Sequence, residues 1–280
     1  MRLNVYVWYV SNTLTYRQLS NLFGIAKSTA WRIVRYVASW LLSIGEEYIR
    51  WPNNTDAAII QAKFLEKSRI PGVFGALDCT HISIIAPRVD KECYFDRNLG
   101  YSIVLQAVVD ADKKFLNVFC GEPGSLHDSR VLRRSELYRT AESNYHEMFP
   151  NNSFLLGDSA YFPTTWLVPP FKDYGNLSEA QRKFNKVHSK ARIVIENGFG
   201  LLKTRFRRLL HFTEHVHLSF VSDLLISICI LHNICCLEND HITNYTLQYN
   251  FGPEDEEADF GEEPERRQRL LNLLQNLNVI

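Results

Sequence analysis

Three acidic residues stand where they could act together on a metal ion. Asp78 follows the apolar stretch "VFGAL", and Asp158 follows "SFLLG". Glu196 is the only acid between Glu179 and Glu214, a segment that contains nine Lys and Arg. An acid within an apolar strand needs a compensating partner, and clustered carboxylates raise one another's pKa. A divalent cation removes that cost, and an all-oxygen site suits Mg²⁺ or Mn²⁺.

Such a site could hydrolyse phosphodiester bonds. Two ions roughly 3.5–4 Å apart would activate water, or the 3′-hydroxyl of a strand, and stabilise the departing oxygen. Basic side chains near Glu196 could hold a nucleic-acid backbone against the metals. Three bases lie four, seven and eleven residues from Glu196 on its side of the predicted helix. We predict that they contact phosphate, with a solvated basic face as the alternative: Arg192, Lys203 and Arg207.

Each acid also has an ordinary interpretation. An Asp at the end of a strand is most often a turn former. Glu196 could form an ion pair with Arg192 at i−4, or with Lys203 further along the helix. Taken singly, none of these acids identifies a metal site. The prediction depends on their meeting at one point of the fold.

The N-terminal part is predicted to be helical. Tyr16 to Phe23 can form a helix, Gly24 suits the turn that follows, and Ser28 can cap a second helix. This pattern resembles a helix-turn-helix, with a plain helical hairpin as the alternative. The preceding "RLNVYVWYV" alternates like a strand, but a supporting helix fits the context better. We predict that three bases of the second helix contact DNA: Lys27, Arg32 and Arg35.

The middle of the chain is predicted to form a sheet. The segments "GVFGALDCTHISIIAP", "SIVLQAVVDAD" and "KFLNVFCGEPG" are predicted strands, the last two joined by a turn. A helix, "HDSRVLRRSELY", precedes a fourth strand in "SFLLGDSAYF" that ends at Asp158. Helices dominate from Ser178 to about Leu237. Strands followed by a helix, a strand and further helices indicate an α/β fold.

Composition narrows the classes of function. The 280 residues are 46% hydrophobic, with zero formal net charge, so any nucleic-acid role must come from local charge. Nine acids and no Lys or Arg occur between Leu237 and Pro264, which predicts a solvated tail. The six cysteines form no C-x-x-C pair, which argues against a zinc ribbon. The run "FVSDLLISICILHNICCL" contains Asp223 and His232, and we interpret it as a core helix rather than a membrane span.

Four motifs between Pro71 and Leu237 together resemble the PIF/Harbinger DDE transposases and their domesticated relatives, the HARBI-type nucleases. They are "GALDCTHISI", "GEPGSLHDSRVLRRSELY", "LLGDSAYFPTTWLVPPF" and "FNKVHSKARIVIENGFGLLKTRFRRL". The resemblance implies an RNase H-like fold and a DDE triad of Asp78, Asp158 and Glu196. It also implies a further metal-site acid at Asp128, for which capping of a helix is the alternative.

We therefore predict an α/β, RNase H-like catalytic domain at 71–237. A helix-turn-helix-like region at 1–51 and a connecting segment at 52–70 precede it. An acidic tail with room for a short C-terminal helix follows at 238–280. The predicted function is a DNA endonuclease that requires Mg²⁺ or Mn²⁺. The alternative is a catalytically silent DNA- or protein-binding factor.

The expected partners are DNA and, from the resemblance, a Myb-like DNA-binding protein, with no membrane. The expected location is the nucleus, with the cytoplasm as a second location. Beside the acids, His81 is predicted to pack or to support a metal ligand. His127 is predicted to lie in a loop, with a contact to phosphate or to a metal ligand as the alternative. The sequence leaves the oligomeric state open.

Overall fold

The structure, a computed structural model, describes residues 1–210, 217–240, 265–277 and 279. Its strands are β1 Val73–Ser83, β2 Ser102–Val109, β3 Phe115–Pro123, β4 Phe154–Leu156 and β5 Leu167–Val168. The α-helices before β1 are α1 Arg2–Ser11, α2 Tyr16–Phe23, α3 Lys27–Ser43, α4 Gly45–Tyr48 and α5 Asn54–Ser68. Those after β3 are α6 Asp128–Arg134, α7 Glu136–Ser143, α8 Tyr145–Met148, α9 Glu179–Arg205, α10 Leu218–Leu237 and α11 Glu265–Asn276. The predicted α/β class is confirmed.

The five strands form one mixed sheet in the order β3-β2-β1-β4-β5. β1, β2 and β3 are antiparallel neighbours, whereas β4 runs parallel to both β1 and β5. Ala76 of β1 pairs with Leu156, the last residue of β4. Asp78 and Asp158 each lie two residues beyond this pair. Because side chains two apart along a strand point to the same face, the register brings these two acids side by side.

Helices pack on the sheet and, together with its strands, form the hydrophobic core. α9 and α5 pack on β1 and on each other, while α10 packs on β3 and α3. α10 is long and apolar enough to cross a membrane, and it is the one such helix in the described part of the chain. In this fold Leu224, Ile228 and His232 of α10 are fully buried. The Asn233 side chain of the same helix accepts from Phe115 N at 2.8 Å and donates to Phe115 O at 2.8 Å.

The N-terminal helices follow the predicted plan with one correction. Thr15 and Gln18 form a capping box at α2, and Gly24 ends this helix with a φ of 62°, a conformation that favours glycine. Ser28 does not cap α3, because that helix already begins at Lys27 with Ala26 at the N-cap. The alternating segment "RLNVYVWYV" is helical, since Val5, Tyr6, Tyr9 and Val10 bury one side of α1.

A buried arginine ties these helices to the rest of the fold. Arg208 follows α9 and is fully buried. Its Nε donates to Tyr9 O at 3.3 Å, and its guanidinium carbon lies 4.0 Å from the centre of the Tyr9 ring. Tyr6 in α1 also forms a hydrogen bond with Ser227 in α10 at 2.5 Å. The helix-turn-helix-like region therefore packs directly on the α/β core.

The acidic run predicted to form a tail lies outside the described residues, apart from Glu238 and Asp240. Asp240 forms an ion pair with Arg205 at the end of α9. Farther on, α11 packs against α9 and buries Leu270, Leu271 and Leu274. The end of the chain thus adds an amphipathic helix to the surface of α9.

Candidate metal centre

Three aspartates from three different segments meet beside β1. Asp78 comes from the middle of β1, Asp158 from the turn that follows β4, and Asp128 from the first residue of α6. One carboxylate oxygen of each lies within 4.8 Å of those of the other two. Among the described residues, these aspartates are the one group of three or more His, Cys, Asp or Glu side chains close enough together to hold a metal ion.

The loop before α6 delivers Asp128. Gly124 N donates to Ser102 O at 2.9 Å, which holds the loop on the adjacent strand β2. A Cβ on Gly124 would lie 2.1 Å from Ser102 Oγ, so this close approach requires glycine. The N-cap of α6 is His127, with no side-chain cap hydrogen bond. Asp128 therefore lies inside the helix, not at the N-cap position that the alternative interpretation gave it.

Backbone donors orient Asp78 and Asp158. Asp78 Oδ1 accepts a hydrogen bond from Cys79 N at 2.8 Å. Asp158 Oδ1 accepts one from Ala160 N at 3.0 Å. Burial, together with the charges of Asp158 and Asp128, raises the pKa of Asp78 well above its ordinary value, even though Arg192 acts in the opposite direction. The carboxylates are close enough to oppose one another's ionisation.

Glu196 reaches this cluster through an arginine. Arg192 Nη1 donates to Asp78 Oδ2 at 2.8 Å, and its Nη2 donates to Glu196 Oε1. The pair at i and i+4 on α9 that the sequence left as an alternative is therefore present. Glu196 lies outside the group of three mutually close aspartates, separated from Asp78 by the guanidinium.

The donor set suits a hard divalent cation. Carboxylate oxygens are the ligands that Mg²⁺ and Mn²⁺ prefer. The raised pKa of Asp78, caused first by burial and then by Asp158, reflects the cost that such a cation would remove. Asp78, Asp128 and Asp158 would be its ligands from the chain.

Comparison with known proteins places this geometry in a family. The family model described as "DDE superfamily endonuclease" matches residues 77–233, more than half of the chain and all four acids. The chain belongs to the DDE superfamily endonucleases. The mixed sheet of the chain is consistent with the predicted RNase H-like fold.

Three relatives illustrate the range of the similarity. The human protein named "Putative nuclease HARBI1" is 33% identical over 236 residues, which cover 81% of this chain and 64% of that relative. "Protein ALP1-like" of Arabidopsis thaliana is 31% identical over 231 residues, 77% of this chain and 55% of the relative. The "Putative transposase for insertion sequence element IS112" of Streptomyces albus G is 26% identical over 200 residues, 70% of this chain and 65% of the relative. The chain thus spans under two thirds of the length of these relatives, and no solved structure matches it.

The chain also has neutral groups beside its acids that sequence reasoning did not single out. The Tyr161 hydroxyl donates to Cys79 Sγ at 3.3 Å. Burial, followed by the charge of Asp128, raises the pKa of the Cys79 thiol. Cys79 adjoins Asp78 in the chain, and Tyr161 follows Asp158 by three residues. This closeness in sequence to the predicted metal ligands is the signal by which the two residues could have been found.

The bases predicted to contact phosphate occupy different environments. Lys203 is half-buried and donates to Thr80 Oγ1 at 2.7 Å and to His81 O at 3.2 Å. Burial lowers the pKa of its ammonium to about 8. Arg207 is exposed, but it lies beyond the end of α9 at Arg205. The prediction that one helix carries both Glu196 and Arg207 is therefore wrong.

The predicted DNA contacts of α3 also divide by environment. Lys27 and Arg32 are exposed on this helix. Arg35 is half-buried, with its guanidinium carbon 4.6 Å from the centre of the Trp31 ring and 4.2 Å from that of Phe220. Packing between α3 and α10 thus occupies Arg35.

The two histidines beside the acids lie on β1 and at the start of α6. His81 Nδ1 lies 2.9 Å from Ser102 Oγ and 3.9 Å from Asp96 Oδ2. Burial lowers the pKa of His81. His127 is in the loop that enters α6, as predicted.

Proposed function

We propose that this chain is a metal-dependent DNA endonuclease of transposase descent that hydrolyses phosphodiester bonds. The observation that carries the proposal is the convergence of Asp78, Asp128 and Asp158, whose oxygens lie within 4.8 Å of one another. Membership of the DDE superfamily endonucleases supports it. Because the chain spans only part of its relatives, the activity of the whole protein is included in this proposal.

The three aspartates would hold Mg²⁺ or Mn²⁺. A bound divalent ion polarises the phosphate and lowers the pKa of a water ligand. Cys79 N and Arg192 fix the two oxygens of Asp78, and Ala160 N fixes Asp158. We retain Glu196 as the third carboxylate of the proposed DDE triad, held next to Asp78 by the shared guanidinium.

Exposed cations would bind the DNA backbone outside the acid cluster. Lys27, Arg32 and Arg207 are exposed and are the stronger candidates. Three half-buried bases would attract DNA mainly through their positive potential rather than through direct contacts: Arg35, Arg192 and Lys203. A DNA substrate implies residence in the nucleus, and we include a Myb-like partner protein in the proposal.

Cleavage of supercoiled plasmid DNA in Mn²⁺ tests the endonuclease. We expect Asp158→Asn to cut at least about a hundredfold more slowly, since several kcal/mol of metal-dependent stabilisation would be lost. Omission of Mn²⁺ is the control for metal dependence, and an unchanged circular dichroism spectrum is the control for folding. Equal rates of cleavage by the wild type and Asp158→Asn would show that Asp158 is not a catalytic residue.

A second function has one observation in its favour. Arg192 already compensates charge on Asp78 and Glu196, so the acids can coexist without a metal. A silent binding factor would keep this arrangement. It predicts salt-sensitive DNA binding that survives Asp158→Asn, with no cleavage by either protein in Mn²⁺.

A further inference from the structure

One side chain connects helix α9 to the acid cluster. Arg192 donates from Nη1 to Asp78 at 2.8 Å and from Nη2 to Glu196. The three side chains are only 14%, 14% and 16% exposed for Arg192, Asp78 and Glu196. A charge contact in such a shielded place is much less screened by salt than a surface pair.

The position of Arg192 along α9 is also fixed. The helix buries Ala191 and Ile195 against the core, so the neighbouring Arg192 and Glu196 lie at the edge of the same face. They are four residues apart, the spacing at which helical side chains meet. Asp78 lies on the face of β1 that α9 covers. The guanidinium of Arg192 can therefore contact both carboxylates while α9 keeps its regular helical geometry.

The guanidinium keeps its charge in this place. An arginine side chain is effectively always protonated in proteins, and this one lies between two carboxylates. Arg192 is thus a permanent positive charge in contact with an oxygen of a proposed metal ligand. Charges of the same sign disfavour each other at this range.

We propose that Arg192 is a positioning residue that acts as the built-in counter-cation of the centre. It holds Asp78 and Glu196 when no metal is bound, and it competes electrostatically with a divalent cation at Asp78. This inference rests on the proposed metal site. It goes beyond that site by assigning a chain residue that stabilises the metal-free state and moderates the affinity for metal.

The matched pair of variants is Arg192→Met and Arg192→Lys. Methionine removes the charge and keeps an unbranched side chain, whereas lysine keeps the charge and loses the two-pronged contact. Lys190→Met removes one exposed charge from the same helix and is the control for net charge. The measurements are the melting temperature without metal, the shift in melting temperature on adding Mn²⁺, and the Kd for Mn²⁺ by calorimetry.

Without metal, we expect Arg192→Met to melt below the wild-type chain. With Mn²⁺, its melting temperature should rise by more than that of the wild type, and its Kd should be about tenfold lower. A neighbouring opposite charge changes the proton affinity of a carboxylate about ten- to a thousandfold. We expect the lower end of this range for the Kd of Mn²⁺, because the ion has further ligands besides Asp78. Arg192→Lys and Lys190→Met should respond to Mn²⁺ like the wild type.

An equal or smaller Mn²⁺ shift in Arg192→Met would show a purely structural role and overturn the proposal. So would an Arg192→Lys variant that behaves like Arg192→Met. If Arg192→Met does not fold without metal, the proposal requires Mn²⁺ to restore its native circular dichroism spectrum, and failure to fold in both conditions overturns it. A wild-type chain that does not respond to Mn²⁺ would instead contradict the metal site itself.

Discussion

Two groups of aspartates in this fold have opposite surroundings. At the turn between β2 and β3, Asp110 Oδ1 accepts from Asp112 N at 2.8 Å and from Lys114 N at 2.9 Å. Asp112 forms ion pairs with Lys63 and Lys67. Although burial acts against it, these lysines lower the pKa of Asp112. Two acids at this turn thus have two lysines and two backbone donors.

The acids of the metal centre face one another instead. Asp78 lies against Asp128 and Asp158, and it shares one guanidinium with Glu196. Burial, then the charge of Asp158, raises the pKa of Asp78, whereas the pKa of Asp112 is lowered. Asp110 comes directly after β2 and Asp158 soon after β4, so either could be interpreted as a turn former from sequence. Opposing carboxylates, rather than acidity itself, therefore indicate where a cation would bind.

The largest effect that separates the two groups is on catalysis. We expect Asp128→Asn to slow Mn²⁺-dependent DNA cleavage about a hundredfold, since one proposed ligand loses its charge. Asp112→Asn is the matched control, an Asp to Asn change at the turn, and should cleave like the wild type. A gel assay of plasmid nicking measures both. Equal slowing of the two variants would mean that the comparison does not distinguish a site from a turn.

Sequence reasoning found the acids better than it found their geometry. Asp78 and Asp158 could be located because each ends an apolar stretch, and parallel pairing of β1 with β4 then brings them together. The position of Asp128 depends on Gly124 pressing against Ser102, a contact between loop and strand that no local pattern reveals. Its approach to the other two acids therefore could not be derived from spacing alone.

The basic residues show where helical spacing fails. The ion pair of Arg192 and Glu196, one of the alternatives that the sequence leaves open, is present, because the distance between i and i+4 is set by the helix itself. The same spacing predicts a phosphate contact for Lys203, which stays a prediction; its Nζ donates to Thr80 and to the backbone of β1. A helical pattern gives the face of a side chain, whereas tertiary packing decides whether that face meets solvent or a strand.

A smaller effect should appear in the stability of the metal-free chain. Because burial and Asp158 raise the pKa of Asp78, its ionised form weakens the folded state. We expect Asp78→Asn to raise the free energy of unfolding at pH 7 by about 1 kcal/mol. Urea denaturation in a metal chelator measures this difference.

The same carboxyl gives the pH dependence. Its folded-state pKa lies above the unfolded value of 3.8, so the folded chain binds more protons between these two values. As pH falls through the folded-state pKa, the wild type should regain stability relative to Asp78→Asn, and the difference should shrink. A difference that stays constant with pH, or an Asp78→Asn chain less stable at pH 7, would contradict this electrostatic explanation.

The smallest effect concerns the turn. The side chains of Lys63 and Asp112 are 46% and 43% exposed, so solvent screens their ion pair. We expect Lys63→Met to lower the free energy of unfolding by about 0.5 kcal/mol, and by less in 1 M salt. It should leave DNA cleavage unchanged. A loss of cleavage in this variant would show that the turn and the metal centre are coupled.

A crystal structure of the chain soaked in Mn²⁺ tests the central claim most directly. Anomalous scattering would locate the ion independently of any assay. We expect a peak bound by carboxylate oxygens of Asp78, Asp128 and Asp158, about 2.0–2.6 Å from each ligand, the range for hard cations with oxygen ligands. Ordered aspartates with no Mn²⁺ peak between them would contradict it, and so would a peak bound elsewhere.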